Sequence, residues 1–388
     1  MTVLINLISD EVIPNALAIK KIKPKHLVNL YTGDNYHEKM NYLNKFQKKL
    51  VGESEVTSIL VKHNEPADIR QKIGQIAGNL QKDIVINVTG GTKLMAFGAF
   101  QAGIELDLPV MYIDPEEGKY KQLAGKRQNW ASHALEKLSI DNFFILSGTR
   151  VRSDDTGVYQ EYQKQLSQVA HWARHNPTAW LELIGYLEAA FRNYRNKQDF
   201  MNTNNLTEFQ VPLVMNHPNQ QTKMKYHFPQ QAFFMLRQLG LLDQLKIAGR
   251  EVYFRFPGAE VKNVLCRKGF VLEFLVYELC RHNQHVDEVR AGIEVDWPGE
   301  QQVNNEIDVL VLTGHKLWLI SCKMGKFNKD HMAELSTNAR LLGGIKTGKI
   351  LVAPANSWND QLLERAELMG IKYVYLEELE KLHQIIKI

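Results

Sequence analysis

Cysteine is scarce: Cys266, Cys280 and Cys322 are the three in 388 residues, too few and too scattered for a disulfide framework or a zinc site. Each sits in an apolar stretch, where a free thiol behaves as a small hydrophobe, so a reducing, cytoplasmic setting is expected. Apolar runs of the roughly 18 to 20 residues needed to span a bilayer are missing, which argues against a membrane partner. A basic n-region and a small-residue cleavage site are missing too, so the first residues read as a strand and not as a signal peptide. Excess charge is slight: 47 Lys and Arg against 43 Asp and Glu leave +4. That balance is compatible with a nucleic-acid partner without establishing one. At 388 residues the chain exceeds one ordinary core, so two or three domains are expected.

What is present begins with a strand–helix alternation. Strand patterns at 2–9, 26–32, 56–61, 84–87 and 110–113 are separated by helical patterns at 11–21, 38–50, 67–81 and 92–106. Near-continuous apolar strands joined by helices predict a parallel sheet covered on both faces, with ligands bound outside the carboxyl ends of its strands. The first strand ends in Ser9-Asp10-Glu11 with Pro14-Asn15 beyond, the second in Thr32-Gly33, and the fourth in Asn87-Val88-Thr89-Gly90-Gly91-Thr92-Lys93. Two glycines permit a sharp turn and close approach of a ligand. The helix that follows presents unpaired N–H groups to an anion, beside the Thr89 and Thr92 hydroxyls and the Lys93 ammonium. A tight turn with Thr92 as N-cap is the alternative. The run is neither a Walker-type phosphate loop nor a Gly-x-Gly-x-x-Gly fingerprint.

In the middle, 153–157 reads as a loop, 159–174, 178–194 and 229–245 as helices, and 202–210 and 216–222 as exposed polar stretches. The alternating run 251–256 after Ala248-Gly249-Arg250 reads as a hairpin strand, giving a winged-helix-like order. Such a segment serves to read DNA, to connect, or to dimerise. Beyond Lys262 come a helix at 269–281, strands at 288–295, 304–312 and 317–323, a helix at 330–342 and a strand at 350–353. Asp308 interrupts a run of Ile, Val and Leu, and Lys323 closes an equally apolar strand. Buried charges need a partner or a metal, and a hairpin brings both to one end of a sheet. Glu273, between Leu272 and Phe274, can point into the same cleft. Carboxylates that hold a hard cation, with a lysine nearby, suit phosphodiester hydrolysis; a plain Asp–Lys ion pair is the alternative.

The C-terminal order of elements with Glu273, Asp308 and Lys323 resembles the PD-(D/E)xK nuclease superfamily, and the 87–93 motif resembles the strand-end motif of CRISPR-associated Rossmann-fold (CARF) sensor domains. Together they resemble the CARF–PD-(D/E)xK effector nucleases of type III CRISPR systems. The resemblance implies an α/β chain of three parts: a Rossmann-like CARF parallel sheet at 1–145, a helical and winged-helix-like connector at 146–260, and a restriction-endonuclease-like domain at 261–388. It implies a homodimer that binds a cyclic oligoadenylate, commonly cyclic tetra-adenylate, and then cleaves DNA or RNA with Mn2+ or Mg2+ in antiviral defence. Carried over, Thr89, Gly90, Gly91, Thr92 and Lys93 hold adenylate phosphates, and Ser9, Asp10, Pro14, Asn15 and Thr32 line the rest of the pocket. Glu273, Asp308 and Lys323 are catalytic, with the Cys322 carbonyl a metal ligand beside Asp308 and Glu273. One departure stands out: Ser321 occupies the position of the motif's second acid. Glu306, two residues from Asp308 and on the same side of its strand, is expected to compensate, or else Glu273. The alternative functions are a ligand-responsive nucleic-acid-binding regulator with an inactive nuclease fold, and a Rossmann-type small-molecule enzyme. The missing glycine fingerprint speaks against the last.

Overall fold

The computed structural model describes residues 2–80, 83–126, 134–195, 205–216, 225–299 and 305–387. Parts of the polar stretches 202–210 and 216–222 lie outside the described residues, as do Met1, Gln81, Glu300 and Asn304.

The N-terminal third alternates as expected: β1 (Thr2–Leu7), α1 (Ile13–Ile22), β2 (His26–Tyr31), α2 (His37–Val51), β3 (Glu55–Leu60), α3 (Pro66–Leu80), β4 (Asp83–Asn87), α4 (Lys93–Glu105) and β5 (Val110–Asp114). A sixth strand, β6 (Lys119–Ala124), returns antiparallel on β5. The sheet order is β3-β2-β1-β4-β5-β6, with β1 to β5 parallel. β1, β2 and β4 are buried almost throughout because helices cover both faces, which explains largely apolar sequences in which Asn6, Asn29 and Asn87 are buried. Their register pairs Leu7 with Leu30 and Asn6 with Asn87, so the three carboxyl ends lie level.

The middle contains α5 (Ile140–Ser147), β7 (Arg150–Asp154), α6 (Thr156–Glu161), α7 (Gln163–His175), α8 (Pro177–Arg195), β8 (Glu208–Pro212), β9 (Val214–Asn216), β10 (Lys225–His227), α9 (Gln230–Gln238), β11 (Gln244–Ala248) and β12 (Glu251–Arg255). The wing is a three-stranded antiparallel sheet, β11-β12-β8, whose outer strand comes from the stretch read as irregular. The helix expected at 229–245 stops early because Gly240 turns the chain at φ 72°. The helix expected at 159–174 is divided at Tyr162.

The last third comprises α10 (Ala259–Leu265), α11 (Phe270–Arg281), β13 (Glu288–Asp296), β14 (Asn305–Thr313), β15 (Lys316–Cys322), α12 (Lys329–Gly343), β16 (Gly348–Ala353), α13 (Asp360–Leu368), β17 (Ile371–Tyr375) and α14 (Leu382–Ile385). Its sheet runs β17-β16-β15-β14-β13-β7. The edge strand β7 comes from the stretch assigned to the connector, and Ser153 and Asp154, read as loop, belong to it. β7 is short and largely polar, held by an Arg152–Asp296 ion pair, and so carries no apolar strand signal. One apolar core crosses the chain: Leu17 and Phe46 of the first sheet's helices, Phe144 of α5, Leu310 and Leu319 of the last sheet, and Leu342 of α12 share it. Among the described residues, no helix is long and apolar enough to cross a membrane.

Candidate sensor pocket and nuclease cleft

At the carboxyl edge of the first sheet, three buried asparagines organise the strand ends. Asn87 donates from Nδ2 to Asn6 Oδ1 and Asn15 Oδ1, each at 3.0 Å, and Asn15 Nδ2 donates to the Leu7 carbonyl at 3.0 Å. Asn15 is thus a structural member of this network, with Pro14 buried beside it in α1. Thr89 is also committed: its hydroxyl donates to Asn87 Oδ1 at 2.7 Å and accepts from the Ile113 amide at 2.7 Å, tying β4 to β5. Gly90 fits because a Cβ there would lie 2.2 Å from the Leu7 carbonyl oxygen, and Gly91 adopts φ 76°. Thr92 is the N-cap of α4, accepting from the Met95 amide at 3.2 Å and donating to the His63 carbonyl.

The N-cap reading of Thr92 does not compete with an anion at the helix start. The Lys93 and Leu94 amides open the helix with no intrahelical acceptor, and the first turn holds no acid. The Lys93 side chain is exposed beside them, and Ser9 and Thr32 are half-buried on the neighbouring strand ends. Asp10 is exposed and paired with Lys39. Asn15 and Thr89 thus hold the frame of this edge, Gly90 is buried against the Leu7 carbonyl, and the Lys93 side chain is exposed at the start of α4.

The second constellation lies where β14 and β15 part. Their ladder ends at Val309 and Ile320, leaving Asp308 opposite Ser321. Asp308 is 9% exposed; its Oδ2 accepts from the Cys322 amide at 2.6 Å and from the Ser321 hydroxyl at 3.2 Å, with Lys323 Nζ 3.6 Å away. Its Oδ1 makes no hydrogen bond among the described residues. Burial works against the charge on Lys323, but the neighbouring carboxylates of Asp308, Glu334 and Glu273 outweigh it and raise the pKa.

Glu273, on the first turn of α11, is 5% exposed, and Gly269 makes room for it, since a Cβ there would meet Glu273 Oε1 at 2.2 Å. Its Oε2 makes no hydrogen bond and lies 3.4 Å from Arg267 Nη2. Burial, and then the negative charge of Asp308, push its carboxyl up to about 8 against the pull of Arg267. Arg267 also pairs with Asp155, at 2.5 Å, and with Glu306. Burial raises the Glu306 pKa, Arg267 opposing. Gly292 adopts φ 60° within β13, and a side chain there would meet both Arg267 and Asp155 at 2.6 Å.

Sequence reasoning missed Arg267 and Asp155. A signal existed in Arg267-Lys268 just before a helix N-terminus, where positive charge is unfavourable unless acids surround it. Among the described residues, no group of three or more His, Cys, Asp and Glu side chains stands ready to hold a metal ion.

A Rossmann-like sheet with an anion-ready strand end, joined to a sheet that parts around an Asp–Lys pair, defines a sensor-linked nuclease. Residues 3–143 match the Card1 CARF domain, and residues 262–387 match the Card1-like endonuclease domain. The chain belongs to this family of CARF-domain endonucleases of CRISPR systems. Among solved structures, that of Can2 from Sulfobacillus thermosulfidooxidans in complex with cyclic tetra-adenylate is similar at TM-score 0.68 and 20% identity, over 99% of this chain and 98% of that one. Protein VC1899 from Vibrio cholerae is similar at TM-score 0.72 and 17% identity, over 99% and 97%. At these identities the likeness establishes the fold. A search of curated proteins gives no match.

Proposed function

We propose that the protein is a cytoplasmic endonuclease of antiviral defence, switched on by a cyclic oligoadenylate and dependent on Mn2+ or Mg2+ for hydrolysis of DNA or RNA phosphodiesters. The observation that carries this reading is Asp308 and Lys323, 3.6 Å apart at the parting of β14 and β15 inside a Card1-like endonuclease domain. Cyclic tetra-adenylate is the favoured activator because Can2, which shares the fold, was solved with it.

In the sensor domain, Gly90, Gly91, Lys93 and the α4 amides meet the phosphates, and Ser9, Asp10 and Thr32 flank them. In the cleft, Asp308 Oδ1 and the Cys322 carbonyl are oxygen donors of the kind a hard divalent cation takes, and Glu273 is a buried acid whose Oε2 makes no hydrogen bond and has Arg267 as its positive neighbour. Such a cation supplies a polarised phosphoryl group and an acidified water. Asp308 orients through its bonds to Cys322 and Ser321, and Lys323 stabilises charge that develops on the phosphate. Arg267 fixes Glu273 and Glu306, so their role is to set the charge and shape of the cleft.

A homodimer is supported by α4, which exposes Leu94, Phe97 and Ile104 along one stripe beside the phosphate-facing turn. Ser321 favours a second reading, a ligand-responsive nucleic-acid binder with an inactive nuclease fold, because a hydroxyl replaces a charged ligand. The test incubates the full-length protein with plasmid and single-stranded DNA and RNA in Mn2+, with and without cyclic tetra-adenylate, beside Asp308→Ala. Ligand-dependent cleavage lost in the variant is the expected result. Absence of cleavage under every condition overturns the enzyme and leaves the binder.

A further inference from the structure

The strand acid missing at Ser321 has a counterpart on the opposite wall. His331, Glu334 and Asn338 lie on successive turns of α12 and line the same cavity as Asp308, Ser321 and Lys323. The helix is fixed there. Its N-cap Asn328 closes a capping box with His331, and Leu335, Asn338 and Ala339 are buried against the sheet. Glu334 alone among the cleft's acids is uncommitted: it has no hydrogen bond or ion pair among the described residues, whereas Glu273 and Glu306 both attend Arg267. Its side chain is exposed and can swing about three bonds into the cavity, and its charge is already felt at Lys323.

We propose that Glu334 is the second carboxylate ligand of the catalytic cation, supplying from α12 the charge that Ser321 does not supply from β15. Ser321 then has a different task, donating its hydroxyl to Asp308 Oδ2 at 3.2 Å and aiming the remaining oxygen at the cation. The assignment rests on the metal-dependent reading above and names the donor that completes it.

Mn2+ binding to the full-length protein without nucleic acid, followed by calorimetry and by the electron paramagnetic resonance of free Mn2+, tests this independently of cleavage. Glu334→Gln is expected to weaken Mn2+ binding by about tenfold or more, since affinity follows the count of charged ligands. Ser321→Glu introduced into Glu334→Gln is expected to recover Mn2+ affinity and cleavage together, which a merely structural glutamate would not allow. Glu334→Gln that binds Mn2+ within about twofold of wild type overturns the assignment, as does a double variant no better than Glu334→Gln. A wild type that cuts, with Glu334→Gln unaffected in Mn2+ binding, sinks this inference alone. A wild type that binds no Mn2+ and cuts nothing sinks the metal-dependent reading with it.

Discussion

The Ile345 amide donates to Glu11 Oε1 at 3.1 Å, joining the turn after α12 to the loop after β1. Glu11 stands two residues from Ser9 at the sensor's strand edge, and α12 is the wall of the nuclease cleft that carries Glu334 and Asn338. Gly344 makes the contact possible, since a Cβ there would lie 2.3 Å from Glu11 Oε2. Lys346–Glu116, at 2.9 Å, runs beside it. The two sites thus have a direct polar link within one chain, over an apolar core they share. Coupling requires that the ligand favour one arrangement of such a link over another. The hypothesis is that Glu11→Ala leaves cyclic tetra-adenylate affinity within about threefold while ligand-stimulated cleavage falls about tenfold, the size of ordinary coupling energies. Calorimetry and cleavage titrations check this. Equal losses in stimulated and unstimulated cleavage would remove the coupling role.

Thr92 and Lys93 are neighbours with separable tasks. Thr92→Ala deletes the α4 cap and is expected to cost about 1 kcal/mol of stability, read as a lower midpoint in urea. Lys93→Ala removes no side-chain hydrogen bond among the described residues and is expected to weaken cyclic tetra-adenylate binding by about 1 to 2 kcal/mol, roughly 5- to 30-fold, while flattening its salt dependence. Unchanged affinity in Lys93→Ala would take the phosphate role from this lysine.

Phe97 is 56% exposed at the centre of the α4 stripe, between Leu94 and Ile104. A large apolar side chain left in water at this spacing points to a second copy of the chain as its cover. Phe97→Glu is predicted to shift the protein towards monomer in sedimentation velocity and to abolish activation by the ligand, with the thermal midpoint little changed. A variant that stays dimeric places the dimer contact elsewhere.

How much of this was legible beforehand follows from which residues carry local signals. The parallel strands declared themselves through short, largely apolar runs separated by helical patterns, and Asp308 and Lys323 through charge set in apolar strands. β7 and β8 did not: β7 is polar and largely exposed, β8 offers only Phe209 and Val211 in a short polar stretch, and both are held by pairing with partners far along the chain, β13 and β12. That Thr89 and Asn15 also bond within the strand-end network was not legible, because a polar side chain at a strand end reads alike whether it faces a ligand or a buried asparagine. Glu334 could not be singled out, since an acid on a polar helix face has no local mark; its meaning comes from the cavity opposite.

Asp155 gives a prediction in pH. Its carboxyl is pushed up from 3.8 to about 6, burial outweighing Arg267, with Glu306 and Asp154 adding to the rise. A folded-state pKa above the unfolded one means that the folded protein holds this proton more tightly. The stabilisation is therefore full below about pH 4 and is lost as pH rises through about 6. A shift of about two units corresponds to at most about 3 kcal/mol. Asp155→Asn removes the titration. Its stability relative to wild type is expected to improve steadily between pH 4 and pH 7, reaching a gain at neutral pH, as measured by urea midpoints across that range. The reverse trend, with Asp155→Asn falling behind above pH 6, would mean that the 2.5 Å pair with Arg267 outweighs burial, and that Asp155 is a true anion anchoring the arginine beneath the cleft.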